Sequence, residues 1–415
     1  MRRTFPLCLA LLLGACRHPA PPAPWLGAVE EVGSPAPPGS RFPNLAGGGD
    51  LPVVMSWLQA GAGDEFSLQH AEWRDRDIGA AQAWSAPREV ARGRDWFVNW
   101  ADFPSVVPVT ARVWAAHWLQ QKPGSVYSYD VRISVSDDGG RRWSPALTPH
   151  ADGTPTEHGF VSLLRSGEDH VRAVWLDGRR TPGEQDHDSG HGGGSGAMTL
   201  RSAEIAAPGR LVAPDAELDG RVCDCCQTDA VAVGDATVVV FRDRDEEEVR
   251  NIRALRIEPG DRLASAPVHD DGWKIAACPV NGPAIAAQGQ HVAVAWFTAA
   301  DVPRVRLAFS SDGARTFGPA LEVDSGQVAG RVDVAFISKG RAVVSWMAHA
   351  GRDAELRVRP YTEQGPAGAA VTVARVGQAR ASGFPQMIAT GRGLLFAWTA
   401  TGTTPAVHTA FAPLP

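Results

Sequence analysis

Long apolar runs are nearly absent from this 415-residue sequence. The longest, Leu7 to Leu13, is too short to cross a bilayer as a helix. Only three tyrosines occur, which leaves few residues for any chemistry that needs a phenolic nucleophile. Net charge is −6 with acids and bases interspersed. The absence of a basic tract argues against a nucleic-acid partner. Helical periodicity is missing too, because the apolar runs are short, β-branched and bounded by glycine or proline. What is abundant points the same way: 44 glycines, 32 prolines and 14 tryptophans suit an all-β chain with many turns.

One pattern recurs along the chain. An alternating β-type run ends in an aromatic residue at Trp57, Trp118, Trp175, Phe241, Trp296, Trp346 and Trp398, at spacings of 50 to 66 residues. A period of that size marks a propeller or a solenoid. Each repeat opens with a segment rich in proline, glycine and small residues, such as Arg41-Phe42-Pro43 or Gly383-Phe384-Pro385. The strand ending in the aromatic follows, then a third strand, a turn and a short fourth strand. Four antiparallel strands per unit make a propeller blade, so the fold expected is an all-β propeller of seven blades, with six as the alternative. The last repeat runs out before its fourth strand. Pro24-Trp25-Leu26 followed by Ala28 to Val32 has the grammar of the missing strand and is expected to close the ring, covering an edge that would otherwise invite aggregation. A monomer is expected.

The N-terminus reads as targeting rather than fold. Arg2 and Arg3 precede the apolar stretch, which ends in Leu13-Gly14-Ala15-Cys16. This resembles the lipobox of bacterial lipoproteins, as against an ordinary secretory signal that contains a cysteine. The resemblance implies a signal peptide over residues 1–15, acylation of Cys16 and a tether over 16–24. The propeller would fill 25–415, exported and held to the cell-envelope membrane by its lipid.

Two turns between third and fourth strands carry Ser136, Asp138, Gly140 and Trp143, and Ser310, Asp312, Thr316 and Phe317. Serine and aspartate oxygens at this spacing can accept the turn's own N–H groups while the aromatic packs back between sheets. The turns resemble the Asp box, or BNR repeat, of sialidase-superfamily propellers, except that Arg142 replaces the threonine in the first and the glycine of the second sits one place early. The resemblance implies that these aspartates are structural. It also raises an exo-acting glycoside hydrolase of the sialidase type, with Arg41 receiving a substrate carboxylate. No tyrosine stands out as the nucleophile such a mechanism needs, and catalytic members of the family have six blades.

The residues opening each repeat are candidates for the central channel: Arg41, Asn99, Trp100, Asp102, His158, Asn281, Arg331 and Asp333. Polar groups converging in a concavity are the usual signal of a ligand site, here for a glycan or another small molecule. The sharpest oddity is Cys223-Asp224-Cys225-Cys226, which opens the fourth repeat, with Cys278 opening the fifth. Export favours disulfides. Three cysteines in four residues equally suit a soft-metal site for copper or zinc, with His158 or His187 as further ligands. Strand alternation would put Cys223 and Cys225 on one face and Cys226 on the other.

Overall fold

The computed structural model describes residues 24–74, 83–123, 125–167, 169–181 and 196–415. The signal segment, Cys16 and the loop carrying His187 lie outside them. Seven antiparallel sheets follow one another along the chain, six of them formed from consecutive strands and the last completed by the N-terminal strand, and they make a seven-bladed propeller. The first strands of the blades are Ser40–Gly48, Ser105–Pro108, His158–Ser166, Asp229–Val233, Ala284–Gln288, Val328–Ser338 and Gln386–Ala389. Except between blades 2 and 3, they pack against the first strands of neighbouring blades, with blade 7 meeting blade 1, and so form the inner ring.

The second strand of each blade is buried on both faces because a neighbouring blade covers each side. His170–Asp177, Ala236–Arg242 and His291–Thr298 are almost wholly buried along their length. This explains why these strands read as near-continuous apolar runs, whereas the outer strand Arg262–His269 is largely exposed. Seven buried apolar clusters fill the seven inter-blade spaces. Trp57, Trp175, Trp296 and Trp346, the aromatics of the repeat, are among the largest side chains fully buried in them.

The ring closes through the N-terminal segment. Glu30–Val32 pairs antiparallel with Ala406–Pro413, with Glu30 opposite Phe411 and Val32 opposite Thr409. Trp25 anchors the approach: its ring is buried and its indole N–H donates to the Ala369 carbonyl of blade 6 at 2.7 Å. Blade 2 departs from the four-strand plan. Its sheet has three strands, and the fourth is reduced to a two-hydrogen-bond bridge between Ile133 and Leu147. Pro145 and Pro149 flank Leu147 and supply no N–H groups for a longer ladder.

The two Ser-x-Asp turns have the same internal bonding. Asp138 Oδ1 accepts the Arg141 and Arg142 N–H groups at 3.1 and 2.9 Å. Asp312 Oδ1 accepts those of Arg315 and Thr316 at 3.0 and 2.9 Å. The residue four places after the serine is left-handed in both: Gly140 with φ 71° and Ala314 with φ 64°. The displaced glycine of the second turn therefore leaves the bonding intact, and an alanine carries the strained dihedral instead.

Antiparallel order puts the turns between first and second strands, and between third and fourth, on one face of the ring. The segments leading into each blade and the turns after each second strand share the other face.

Candidate functional site

On that second face the lead-in segments are tied together across the axis. Gln227, leading into blade 4, donates to the Ala101 carbonyl before blade 2 at 2.7 Å and accepts from Gly282 N–H before blade 5 at 3.1 Å. Asn281 Oδ1 accepts the Arg331 N–H of blade 6 at 2.8 Å. Arg331 in turn reaches the Gly383 carbonyl before blade 7 at 2.6 Å. Gly282 is required here, because a Cβ would lie 2.0 Å from the Gln227 carbonyl oxygen.

Most of the polar channel candidates are used in this bracing. Asp102 is buried and accepts the Phe160 N–H at 2.8 Å and the Tyr129 hydroxyl at 3.3 Å. Asp333 accepts the N–H groups of Val334 and of Met387 in blade 7, both at 2.8 Å. Burial pushes each of these carboxyls up to about 7. Asn99 caps a local turn by accepting the Ala101 N–H at 2.8 Å. Arg331 is buried without a carboxylate partner among the described residues, and burial brings its guanidinium down to about 10. It lies 5.0 Å from the Trp100 ring, which also stacks on Phe384 at 5.9 Å. Arg41 is half-buried over Phe66, and its Nε is buried without a hydrogen-bond partner.

His158 does not stand with the cysteines. It belongs to a polar cluster between blades 2 and 3 that includes His150, Asp130, Asp152, Asp177 and Arg179. The two imidazoles stack at 3.8 Å with planes 5° apart. Asp152 Oδ2 is 3.1 Å from a nitrogen of each ring. Although their nitrogens and Asp130 approach one another, a metal ion must lie in the plane of each ligating imidazole, and parallel stacked planes share no such point. Lys122 already pairs with Asp130 at 2.7 Å, and Arg179 with Asp177 at 2.7 Å and Asp215 at 3.0 Å. Burial and the neighbouring His158 hold His150 down to about 4. The cluster braces the blades, and its four carboxylates outnumber Lys122 and Arg179.

The thiols remain. Residues 223–226 form a turn rather than a strand, so the alternation expected from the sequence does not apply and all three sulfurs come together. The sulfurs of Cys223, Cys225 and Cys226 lie within 4.8 Å of one another, and those of Cys223 and Cys226 are 2.6 Å apart. Cys278 comes from the next lead-in, whose Gly282 N–H donates to Gln227 at 3.1 Å. Cys223 and Cys226 are buried, whereas Cys225 and Cys278 are half-buried and form the outer edge of the group.

Three arginines surround the buried end, and the sequence reading did not single out Arg242 or Arg250. Arg250 donates to Cys223 Sγ at 3.3 Å and to Glu248 at 2.8 Å. Arg244 pairs with Asp224 at 2.8 Å and Glu248 at 2.7 Å. Arg242 is fully buried, and among the described residues it meets only carbonyls, those of Arg250, Asn281 and Phe297, and the Trp273 ring at 4.9 Å. Among the described residues, three guanidiniums therefore face two carboxylates, leaving one positive charge unmatched there. Burial disfavours a charged Cys223. Hydrogen bonds from Cys225 and Cys226 and the charges of Arg250 and Arg242 outweigh it and hold this thiol well below its usual range. A signal was visible in the sequence, namely the dense Arg242-Asp243-Arg244 after an apolar strand, but not its target.

No protein-family model matches the chain, and no curated protein matches it in sequence. Solved structures do. A protein of unknown function from Dyadobacter fermentans DSM 18053 is 12% identical with a TM-score of 0.53, covering 94% of this chain and 100% of that one. A Trypanosoma rangeli sialidase in complex with the inhibitor DANA is 12% identical with a TM-score of 0.48, covering 79% of this chain and 56% of that one. A mutant NanB sialidase from Streptococcus pneumoniae is 8% identical with a TM-score of 0.47, covering 93% and 94%. At these identities the likeness is one of fold: the chain is a β-propeller, and sialidase propellers are among the structures similar to it.

Proposed function

We propose that the protein is a metal-binding β-propeller of the cell envelope, held there by a lipid on Cys16, with a soft metal ion bound by Cys223, Cys225, Cys226 and Cys278. The observation that carries the reading is the thiol cluster beside an unmatched buried positive charge. An uncompensated charge in a protein interior costs several kcal/mol. An anionic thiolate centre supplies the missing negative charge, and a pair of neutral disulfides does not. Metal coordination keeps thiolates ionised, so ion and arginines stabilise the same state of the site.

A glycan-directed reading has less support. Asp102, Asn281, Arg331 and Asp333 are occupied in bonds between blades. Tyr129 and Tyr361 are buried, with their hydroxyls on Asp102 and the Val323 carbonyl. The two Ser-x-Asp turns then serve as Asp-box repeats do, holding outer strands in place.

The test uses the full chain, reduced and loaded without oxygen, in separate arms with zinc(II) and copper(I), followed by metal analysis and a count of free thiols. About one metal per chain, lost in Cys223→Ser, supports the proposal. Two intact disulfides that resist mild reduction, or no retained metal in either arm, would overturn it.

A further inference from the structure

Cys223 and Cys226 stand closer than two ligands of one metal ion do. Their sulfurs are 2.6 Å apart and unbonded. At a zinc–sulfur distance of about 2.3 Å, two thiolates on one tetrahedral ion sit about 3.8 Å apart. A disulfide closes at about 2.05 Å. The pair must open to hold a metal and close to form a bond, so the two uses of these thiols exclude one another. The second use goes beyond the metal site proposed above and needs no metal.

The local fold holds the pair in reach. Cys223 N–H donates to the Arg242 carbonyl at 2.9 Å, and Asp224 has both oxygens on Arg244 at 3.0 and 2.8 Å. Gln227 ties the other end of the turn to the lead-ins of blades 2 and 5. Burial alone would suit a permanent structural disulfide, but the surroundings oppose one. Arg250 donates to Cys223 Sγ at 3.3 Å, and among the described residues the arginines there outnumber their carboxylate partners. A neutral disulfide leaves that charge unanswered, whereas a reduced, anionic sulfur answers it. Stabilising the reduced form makes a disulfide easy to reduce. The group also has an entrance. Cys225 is half-buried, and its sulfur lies within 4.8 Å of those of the buried pair. An entry thiol that is itself half-buried favours small disulfides over those fixed in a protein surface.

We infer that Cys223 and Cys226 form a redox-active dithiol, oxidised to a disulfide by low-molecular-weight disulfides that enter at Cys225. Cys225 attacks one sulfur of the small disulfide, which forms a mixed disulfide and releases the first small thiol. Cys223 attacks Cys225 Sγ and releases the second. Cys226 then attacks Cys223 Sγ, which closes the buried pair and returns Cys225 as a thiol. In each step one sulfur–sulfur bond forms as another breaks. Two protein thiols are oxidised in all, one small disulfide is reduced, and the two thiol protons end on the two small thiols. Excess small thiol runs the sequence backwards.

The experiment treats the reduced full chain, freed of metal by a chelator and kept from oxygen, with glutathione disulfide. Acid-quenched samples are labelled with one alkylating reagent before reduction and another after it, and fragmentation mass spectrometry assigns each cysteine. The expected product is a Cys223–Cys226 disulfide with Cys225 and Cys278 free, returned to thiols by excess glutathione. Cys225→Ser is expected to form the same disulfide at a glutathione ratio unchanged within roughly threefold, but roughly tenfold or more slowly, because the entrance is lost. Arg250→Gln is expected to shift that ratio roughly tenfold in favour of the disulfide. Circular dichroism checks the fold of each variant, and the pairing in the unaltered chain needs no variant at all. A pair that stays reduced, a disulfide that excess glutathione does not open, a Cys225–Cys278 pairing, or Cys225→Ser oxidised as fast as the unaltered chain would overturn the inference. Because the chelator keeps metal out, these outcomes test the exchange and leave the metal site to its own assay.

Discussion

Trp25→Ala tests whether the propeller depends on its N-terminal closure. The indole is 9% exposed, packs in the cluster between blades 6 and 7, and donates its N–H to Ala369 at 2.7 Å. An indole buries about 200 Å², worth roughly 5 kcal/mol of transfer free energy at about 25 cal/mol per Å². Measured truncations of buried tryptophan cost about 3–5 kcal/mol, and the lost hydrogen bond adds about 1 kcal/mol. The cost is capped by detachment: once the segment around Trp25 lifts off, Glu30–Val32 loses its approach and the strand Ala406–Pro413 becomes an open edge. A loss near 3 kcal/mol, and a Tm lower by roughly 4 °C for a domain of this length, is the expected outcome. Thermal unfolding should be paired with limited proteolysis, since detachment also exposes the chain near residue 33. Leu263→Ala, at a 45% exposed side chain of an outer strand, is the matched control. If the Trp25 variant melts with the control and its N-terminus is cut no faster, then closure by this strand contributes nothing and the argument is wrong.

Asp312→Ala should cost about 1–3 kcal/mol in urea unfolding, because the carboxylate accepts two turn N–H groups and the Thr316 hydroxyl; an unchanged midpoint would show that the turn holds without it. Gly282→Ala should destabilise by roughly 1–3 kcal/mol and weaken metal uptake, because the added Cβ meets the Gln227 carbonyl and pushes the Cys278 lead-in away from Cys223–Cys226; normal uptake would separate the thiol site from this contact. Glu157 is a carboxyl that burial first, and then Asp102 and Asp224, push up to about 8. A group raised on folding contributes its stability below the unfolded value of 4.5 and loses it as pH rises through about 8. Stability should therefore fall across that window by about 2–4 kcal/mol from this group, and Glu157→Gln should flatten the fall and exceed the unaltered protein above about pH 8. A parallel pH profile for the two proteins would refute the assignment.

Much of the architecture was legible because a propeller repeats. The second strands announce themselves as apolar runs ending in an aromatic, since each is covered on both faces, and the closing segment was readable because the last repeat lacked a strand. Blade 2 was less transparent. Trp143 and Pro145 suggested an ordinary fourth strand, yet the second proline, Pro149, reduces it to one bridge. The cysteines were visible as chemistry but misplaced by geometry, because alternation holds along a strand and residues 223–226 form a turn.

The sequence by itself determined the repeat, the strand order, the ring closure and the gathering of thiols at the openings of two neighbouring blades, because all of these follow from local pattern and period. Only the tertiary structure decided what the polar residues do. Asp102, Asp333 and Arg331 could have faced a ligand or a neighbouring blade, and which it is depends on backbone groups from segments more than 50 residues away. The charge of Arg242 acquired its meaning in the same way. Burial raised the cost of leaving it alone, and the fold set Cys223 beside it.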